Sequence, residues 1–306
     1  MTIRFDDQVV VITGAAHGLG RSHALEFARR GARVVVNDLG GARDGVGESS
    51  EAAAAVVAEI EAAGGQAMAN GASVADRDAV AGMVTQVIER WGRIDVLINN
   101  AGILRDKTFS KMSMEDFDTV VAVHQTGTAN CTHAVWPHMC EQQFGRIVMT
   151  SSASGIYGNF GQSNYGAAKM GVVGLMNTLA QEGSKYNIRV NTLAPVATTR
   201  MTEELFPPNV KELLKPELVT PAVIFMSGAD APTRQVISAG GGAFARVVVQ
   251  ETPGAWLPNH ECDAEHLAAA WDQISGTDGA LELQGAGEQT MKFLQMAATN
   301  LGIDLS

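Results

Sequence analysis

Cysteine is scarce: 306 residues hold three, Cys131, Cys140 and Cys262. The count is odd, none forms a CxxC pair, and a chain this long needs no disulfide staples. A disulfide scaffold is excluded and a reducing compartment is expected. An excess of basic charge is also missing. Lys and Arg number 22 against 33 Asp and Glu, a net charge of −11. Nucleic-acid binders are ordinarily basic, so no such partner is expected. An anionic small molecule would need a local basic patch. No run of 18 apolar residues occurs, which excludes a helical membrane span from the expectations. The opening MTIRFDDQVVVITG has no basic segment followed by a long apolar one, so no secretory leader is expected. The closing GIDLS resembles no targeting signal, and the expected location is cytoplasmic. There is no internal repeat and no Pro-, Ser- or Gly-rich linker. No metal is expected.

What is present is a regular alternation. Short apolar runs at 9–13, 33–38, 66–70, 94–100, 146–152, 188–194 and 234–240 read as strands. Most are continuously apolar, as in strands buried on both faces of a parallel sheet. Helical stretches lie between them at 19–31, 49–65, 76–92, 113–145 and 164–187, the fourth expected to bend near Gly127 or Pro137. Several end on glycine, a common C-terminal stop. Strands alternating with helices imply a single doubly wound α/β fold: a parallel seven-stranded sheet with right-handed crossovers and helices on both faces. The expected catalytic domain covers 1–245. Residues 246–306 are expected to form a C-terminal extension packed on it, mostly polar and loop-like, with one possible helix at 263–275.

The first strand runs into ITGAAHGLG (12–20) and then a helix. Glycines there let the backbone turn sharply and let a pyrophosphate approach a helix N-terminus. Gly14, His17, Gly18, Leu19 and Gly20 are therefore candidate cofactor-binding residues. Asp38 closes the second strand 18 residues past Gly20. An acid at that spacing grips the adenosine ribose hydroxyls and repels a 2′-phosphate, so NAD is expected over NADP, with Arg43 the one nearby group that could favour a phosphate. NNAG (99–102) closes the fourth strand, where the small residues around Asn100, Ala101 and Gly102 leave room for a cofactor against the backbone.

Tyr165 and Lys169 stand at i and i+4, on one helix face. A free phenol, with a pKa of about 10, is a poor base at neutral pH, and a nearby ammonium favours the phenolate. A tyrosine so tuned can take the proton of an alcohol as its hydride leaves. Ser152, 13 residues before Tyr165, is placed to hold the same substrate oxygen.

Together TGxxxGxG (13–20), NNAG, the serine and YxxxK resemble the short-chain dehydrogenase/reductase family over roughly residues 6–245. The resemblance implies a Rossmann-type sheet, a nicotinamide ribose held by Lys169, and homodimers or homotetramers paired through the two long helices. It also implies adenine contacts near Ser73 and Val74, and nicotinamide contacts from Pro195, Val196, Thr198 and Thr199. Two positions depart from the pattern. His124 stands where the family has an asparagine that supports a proton relay, and Pro195 is followed by Val196 rather than glycine. Longer strings, among them VVVNDLGG, NNAGILRD and GRIVMTSSASGIYGNFGQSNY, resemble one branch: the (3R)-hydroxyacyl-CoA dehydrogenase units of peroxisomal multifunctional enzymes. That branch implies NAD-linked oxidation of a 3-hydroxyacyl thioester, with a 17β-hydroxysteroid dehydrogenase or a general ketone reductase as alternatives. Arg105, Lys107, Lys111 and Arg200 are the expected basic patch for the CoA phosphates. An alternative of another class is an NAD-binding scaffold that does not catalyse. Chain length, direction of reaction and the role of His124 stay open at this point.

Overall fold

The computed structural model describes residues 2–47, 49, 51–199 and 207–305. Eight strands form one sheet: β1 (Val9–Thr13), β2 (Arg33–Asn37), β3 (Gln66–Asn70), β4 (Val96–Asn99), β5 (Gly145–Thr150), β6 (Ile188–Val196), β7 (Val236–Gly240) and β8 (Ala243–Val247). Their order is β3-β2-β1-β4-β5-β6-β7-β8. The first seven pair in parallel, for example Ile12 with Val36 on one side and Ile98 on the other. Every residue of β1, β4 and β5 is buried, which accounts for the continuous apolar stretches at their centres. The seven-stranded expectation falls one short. β8 follows β7 across Gly241 and Gly242, whose φ values of 58° and 79° suit a two-residue hairpin. Four of its five residues are exposed, so no apolar run announced it.

The helices of this part are α1 (Gly18–Arg29), α2 (Glu51–Ala62), α3 (Arg77–Trp91), α4 (Met114–Val121), α5 (Gly127–Gln142), α6 (Ala153–Tyr157), α7 (Ser163–Gly183), α8 (Pro208–Lys211) and α9 (Thr220–Ser227). Asp76 caps α3, accepting from the amides of Asp78 and Ala79, and Gly92 ends it at φ 74°. The long helix expected over 113–145 is interrupted just before Gly127, while Pro137 does not break it. A π-helical turn, Ala122–Thr126, joins α4 to α5, and Pro137 lies inside α5 without ending it. Such turns occur often at functional sites, and this one carries His124.

One core cluster joins β1, β2, β4 and β5 to α1, α2 and α9 through Ile12, Val36, Ile98, Val148, Phe27, Ile60 and Val223, among others. Each such side chain, fully buried, contributes about 1.5–3 kcal/mol relative to exposure. Charged and titratable side chains are buried too. His23 on α1 has Nδ1 2.9 Å from Thr220 Oγ1, and burial pushes its imidazole down to about 3. Arg146, at the start of β5, is 1% exposed. Its guanidinium donates to the carbonyls of Gly145 (2.7 Å), Asn187 (2.8 Å), Gly228 (2.9 Å) and Ala229 (2.7 Å).

The chain divides into two compact units, Met1–Arg246 and Val247–Ser306. The second contains α10 (Ala264–Ala269), α11 (Trp271–Ser275) and α12 (Ala286–Leu301). The expected helix at 263–275 is thus two short ones, and the sixteen-residue α12 corrects the loop-like expectation. Only Ala298 of α12 is buried. Lys292 on α12 is tied to Glu251 Oε1 at 2.8 Å and to the carbonyl of Thr252. Among the described residues no helix is long and apolar enough to cross a membrane.

Candidate active site

The carboxyl ends of β1, β4 and β5 meet at the site. Gly14 (φ 63°) turns the chain out of β1 and Gly18 (φ 51°) starts α1. The packing is close enough that a Cβ on Gly14 would lie 2.8 Å from Ala101 Cα, and one on Gly20 would collide with the Gly14 carbonyl. His17 precedes α1 without a side-chain cap, so the first amides of α1 are not consumed by a capping side chain. That is the environment an anion seeks. NNAG has a further job here. Asn100 Nδ2 donates to the carbonyls of Thr13 (3.1 Å) and Gly14 (2.9 Å), and Thr13 Oγ1 accepts from the amides of Asn100 and Ala101, both at 3.0 Å. The motif locks the end of β4 to the glycine loop.

A cavity of about 280 Å³ opens above this junction. Of the sequence candidates, Gly14, His17, Gly18, Leu19, Asp38, Ser73, Val74, Asn100, Ala101, Gly102 and Thr199 line it. Gly20, Pro195, Val196 and Thr198 do not. Gly20 lies beneath the loop as a close-packing position. The Thr198 amide donates to the Leu214 carbonyl at 2.7 Å while its hydroxyl is buried without a partner among the described residues. Arg43, weighed from the sequence as a possible phosphate contact, also lines the cavity; sequence reasoning missed Leu39, Ala42 and Gly45 on the same glycine-rich turn, together with Thr119 and Val123 opposite. The length and glycine content of that turn were the available signal. Asp38 Oδ2 accepts from the Ala16 amide (2.9 Å) and Oδ1 from the Gly40 amide (2.8 Å). Its carboxylate faces the cavity with its orientation fixed. The glycine cradle, the open helix N-terminus and this acid fit a dinucleotide.

Ser152, Tyr165, Lys169 and His124 lie outside that lining but are brought together beside it. Ser152 ends the loop after β5 and caps α6, accepting from the Ser154 amide at 3.2 Å. Tyr165 and Lys169 share a face of α7. α6 and α7 pack so tightly that a Cβ on Gly155 would stand 2.7 Å from that of Lys169. Lys169 is buried, its Nζ donating to the Thr150 carbonyl at 2.6 Å and lying 5.5 Å from the centre of the Tyr165 ring. Burial pushes the ammonium down to about 7. The tuning of the phenol differs from the expectation. Burial, not the lysine, is the leading influence and raises it to about 12, while a hydrogen bond with Ser152 works in the lowering direction. Desolvation outweighs the single hydrogen bond.

His124 is buried, and its ring meets Tyr165 edge to face at 5.0 Å. Its Nε2 lies 3.0 Å from the amide nitrogen and 2.7 Å from the carbonyl oxygen of Ile103; Nδ1 has no hydrogen bond among the described residues. Burial first, then the charge of Lys169, hold it well below the ordinary imidazole range, so it stays neutral. Gly102 must lack a side chain because a Cβ there would strike the His124 ring. Of the expected basic patch, Arg105 and Lys107 both reach Asp116, at 3.2 and 3.3 Å. Lys111 is exposed, and Arg200 lies outside the described residues. Cys131 is buried, with its thiol pushed up to about 12, which makes it no nucleophile at neutral pH.

Comparison with known proteins agrees with this construction. The family model for short chain dehydrogenases matches residues 8–209. Peroxisomal multifunctional enzyme A of Dictyostelium discoideum is 46% identical over 301 residues, covering 98% of this chain and 67% of that protein. The 3-oxoacyl-[acyl-carrier-protein] reductase FabG of Thermotoga maritima is 40% identical over 253 residues, 78% of this chain and 99% of the reductase. The solved structure of full-length peroxisomal multifunctional enzyme type 2 from Drosophila melanogaster superposes with a TM-score of 0.80 at 37% identity, over 96% of this chain. The present chain spans half the length of that Drosophila chain. Proteins of this family bind NAD or NADP. The chain belongs to the short-chain dehydrogenase family and is an oxidoreductase acting on CH–OH groups.

Proposed function

We propose that the protein oxidises a (3R)-3-hydroxyacyl thioester of CoA to the 3-oxo thioester with NAD. The observation that carries the chemistry is the placement of the Tyr165 ring, its centre 5.5 Å from Lys169 Nζ and edge to face with His124 at 5.0 Å, with Ser152 acting to lower the phenol's pKa. Nicotinamide, held in the cavity, supplies the hydride acceptor. Tyr165 takes the hydroxyl proton, Ser152 orients the same oxygen, and Lys169 holds the ribose and receives charge as the phenolate forms. A neutral Lys169 near pH 7 is able to accept a proton passed on by Tyr165, with the Thr150 carbonyl fixing its position. Asp38, turned into the cavity by two backbone amides, favours ribose hydroxyls over a 2′-phosphate. The thioester substrate is supported by the name of the Thermotoga relative, a 3-oxoacyl reductase, and by the multifunctional-enzyme relatives.

The test is NADH formation from (3R)- and (3S)-3-hydroxyacyl-CoA, beside a 17β-hydroxysteroid and with NADP in place of NAD. Turnover of the 3R thioester with NAD is expected. Tyr165→Phe should still bind NAD and lose about 100-fold or more of turnover, the usual share of general acid–base catalysis. Steroid turnover alone would discard the thioester. NAD binding without turnover of any alcohol would favour a scaffold.

A further inference from the structure

The segment that follows NNAG, residues 103–105, touches the cofactor side and the catalytic side at once. On the cofactor side, the Leu104 amide donates to the Arg43 carbonyl (3.0 Å) and Arg105 Nε donates to the Asp44 carbonyl (3.1 Å). Gly45 packs on Ile103 so closely that a Cβ there would be 3.1 Å from its methyl. The turn these residues belong to is braced internally. The Ala42 amide donates to the Val46 carbonyl (2.8 Å), the Gly45 amide to Ala42 (3.0 Å) and the Ser49 amide to Leu39 (2.9 Å). Leu39, Ala42, Arg43 and Gly45 line the cavity. A displacement at its tip is therefore passed on rather than absorbed within the turn.

On the catalytic side, the Arg105 carbonyl accepts from Asn164 Nδ2 (3.0 Å), and Asn164 Oδ1 accepts from the Tyr165 amide (2.8 Å). Asn164 is fully buried, so both ends of its amide are committed to these two bonds. Ile103 holds Nε2 of His124, whose ring lies against Tyr165. Asp116 fixes the far side of the guanidinium at 3.2 Å. Arg105 thus belongs to the framework of the site and not to a free basic patch.

We propose that Arg105 is a positioning residue that couples the glycine-rich turn 39–47 to Tyr165, with Asn164 as the joint that receives it. The proposal rests on Tyr165 being the proton acceptor. Coenzyme seated against the turn would then set the backbone from which the phenol projects. Contact geometry alone does not make a coupling; a shared energetic effect does.

The experiment uses Arg105→Lys, Asn164→Asp and the double variant. A lysine keeps the charge for Asp116 but lacks the planar Nε–H that reaches Asp44. An aspartate keeps the acceptor for the Tyr165 amide but loses the donor to Arg105. Each single change should lower kcat about tenfold, the scale of one lost hydrogen bond, with KM for the alcohol nearly unchanged. Arg105→Lys should also weaken NAD several-fold by calorimetry. The double variant should lose no more kcat than the worse single one, because the same link is already broken. Multiplied losses near 100-fold would overturn the coupling, as would weaker NAD binding with normal kcat, or a lower Tm alone. Tyr165→Phe run alongside separates the failures. Near-normal turnover there overturns the role of Tyr165 and the coupling with it; lost turnover there with multiplied effects overturns the coupling alone.

Discussion

The proposed preference for NAD over NADP rests on one carboxylate, that of Asp38, and its replacement is the most informative perturbation. In Asp38→Ser the negative charge disappears from the cavity wall. A 2′-phosphate placed where the ribose hydroxyl belongs would bring a phosphate oxygen about 4 Å from that charge. Two unit charges at this distance near a protein surface repel by about 4 kcal/mol, and salt removes part of it. At about 1.4 kcal/mol per factor of ten, the ratio of kcat/KM for NAD to that for NADP should fall on the order of 100-fold. The substitution also removes acceptors for the Ala16 and Gly40 amides. Both activities should therefore drop, by up to about 1.5–3 kcal/mol for each charge-assisted bond lost. The ratio is insensitive to that common loss, which is why it is the quantity to measure. Steady-state rates with both coenzymes, at fixed ionic strength, provide it. An unchanged ratio, or a native enzyme that uses the two coenzymes equally, would refute the reasoning.

Tyr165, pushed up to about 12, keeps its proton through neutral pH, whereas oxidation needs the phenolate. Oxidation rates should accordingly climb from about pH 6 to about pH 10, and a flat or falling profile would contradict the assignment. His23 is held down to about 3 in the fold against an ordinary 6.5, so the unfolded chain binds more protons between those values and stability falls as pH drops through that window. From pH 7 to pH 5 this one residue should remove about 2 kcal/mol; urea midpoints for the native protein and His23→Gln at the two pH values will show it if the variant is the less acid-sensitive. Gly20→Ala forces a methyl into the Gly14 carbonyl. It should abolish measurable NAD binding and cost about 1–3 kcal/mol of stability, and tight NAD binding by the variant would show that the glycine loop does not need its present geometry.

The sheet was legible because parallel strands buried on both faces are continuously apolar at their centres, as 9–12 and 147–149 illustrate. The glycine loop was legible because its spacing sits between a strand and a helix. The physical role of NNAG was not, since it depends on Asn100 finding two carbonyls 86 and 87 residues earlier in the chain. The π-helical turn under His124 has no compositional mark; Ala122–Thr126 reads as ordinary helix. β8 escaped because an exposed edge strand needs no apolar face, and α12 because it buries almost nothing. Asn164 was singled out by no motif. Only folding shows that its amide is fully used. Arg105 carried a charge that the sequence could assign to a ligand, and the structure spends it on Asp116.

Arg146 gives the molecule a stiff foundation. Its charge is dispersed over four carbonyl dipoles with no carboxylate in direct contact, and burial lowers the guanidinium only to about 10, so it stays charged in any ordinary buffer. It binds the entry to β5, the turn before β6 and the exit of α9 at the amino ends of the strands. The chemistry is conducted at the opposite, carboxyl ends. Rigidity and reactivity are thereby placed at opposite poles of one sheet, and residues around the reaction pocket can be exchanged for new substrates without loosening the anchor that keeps the strands aligned.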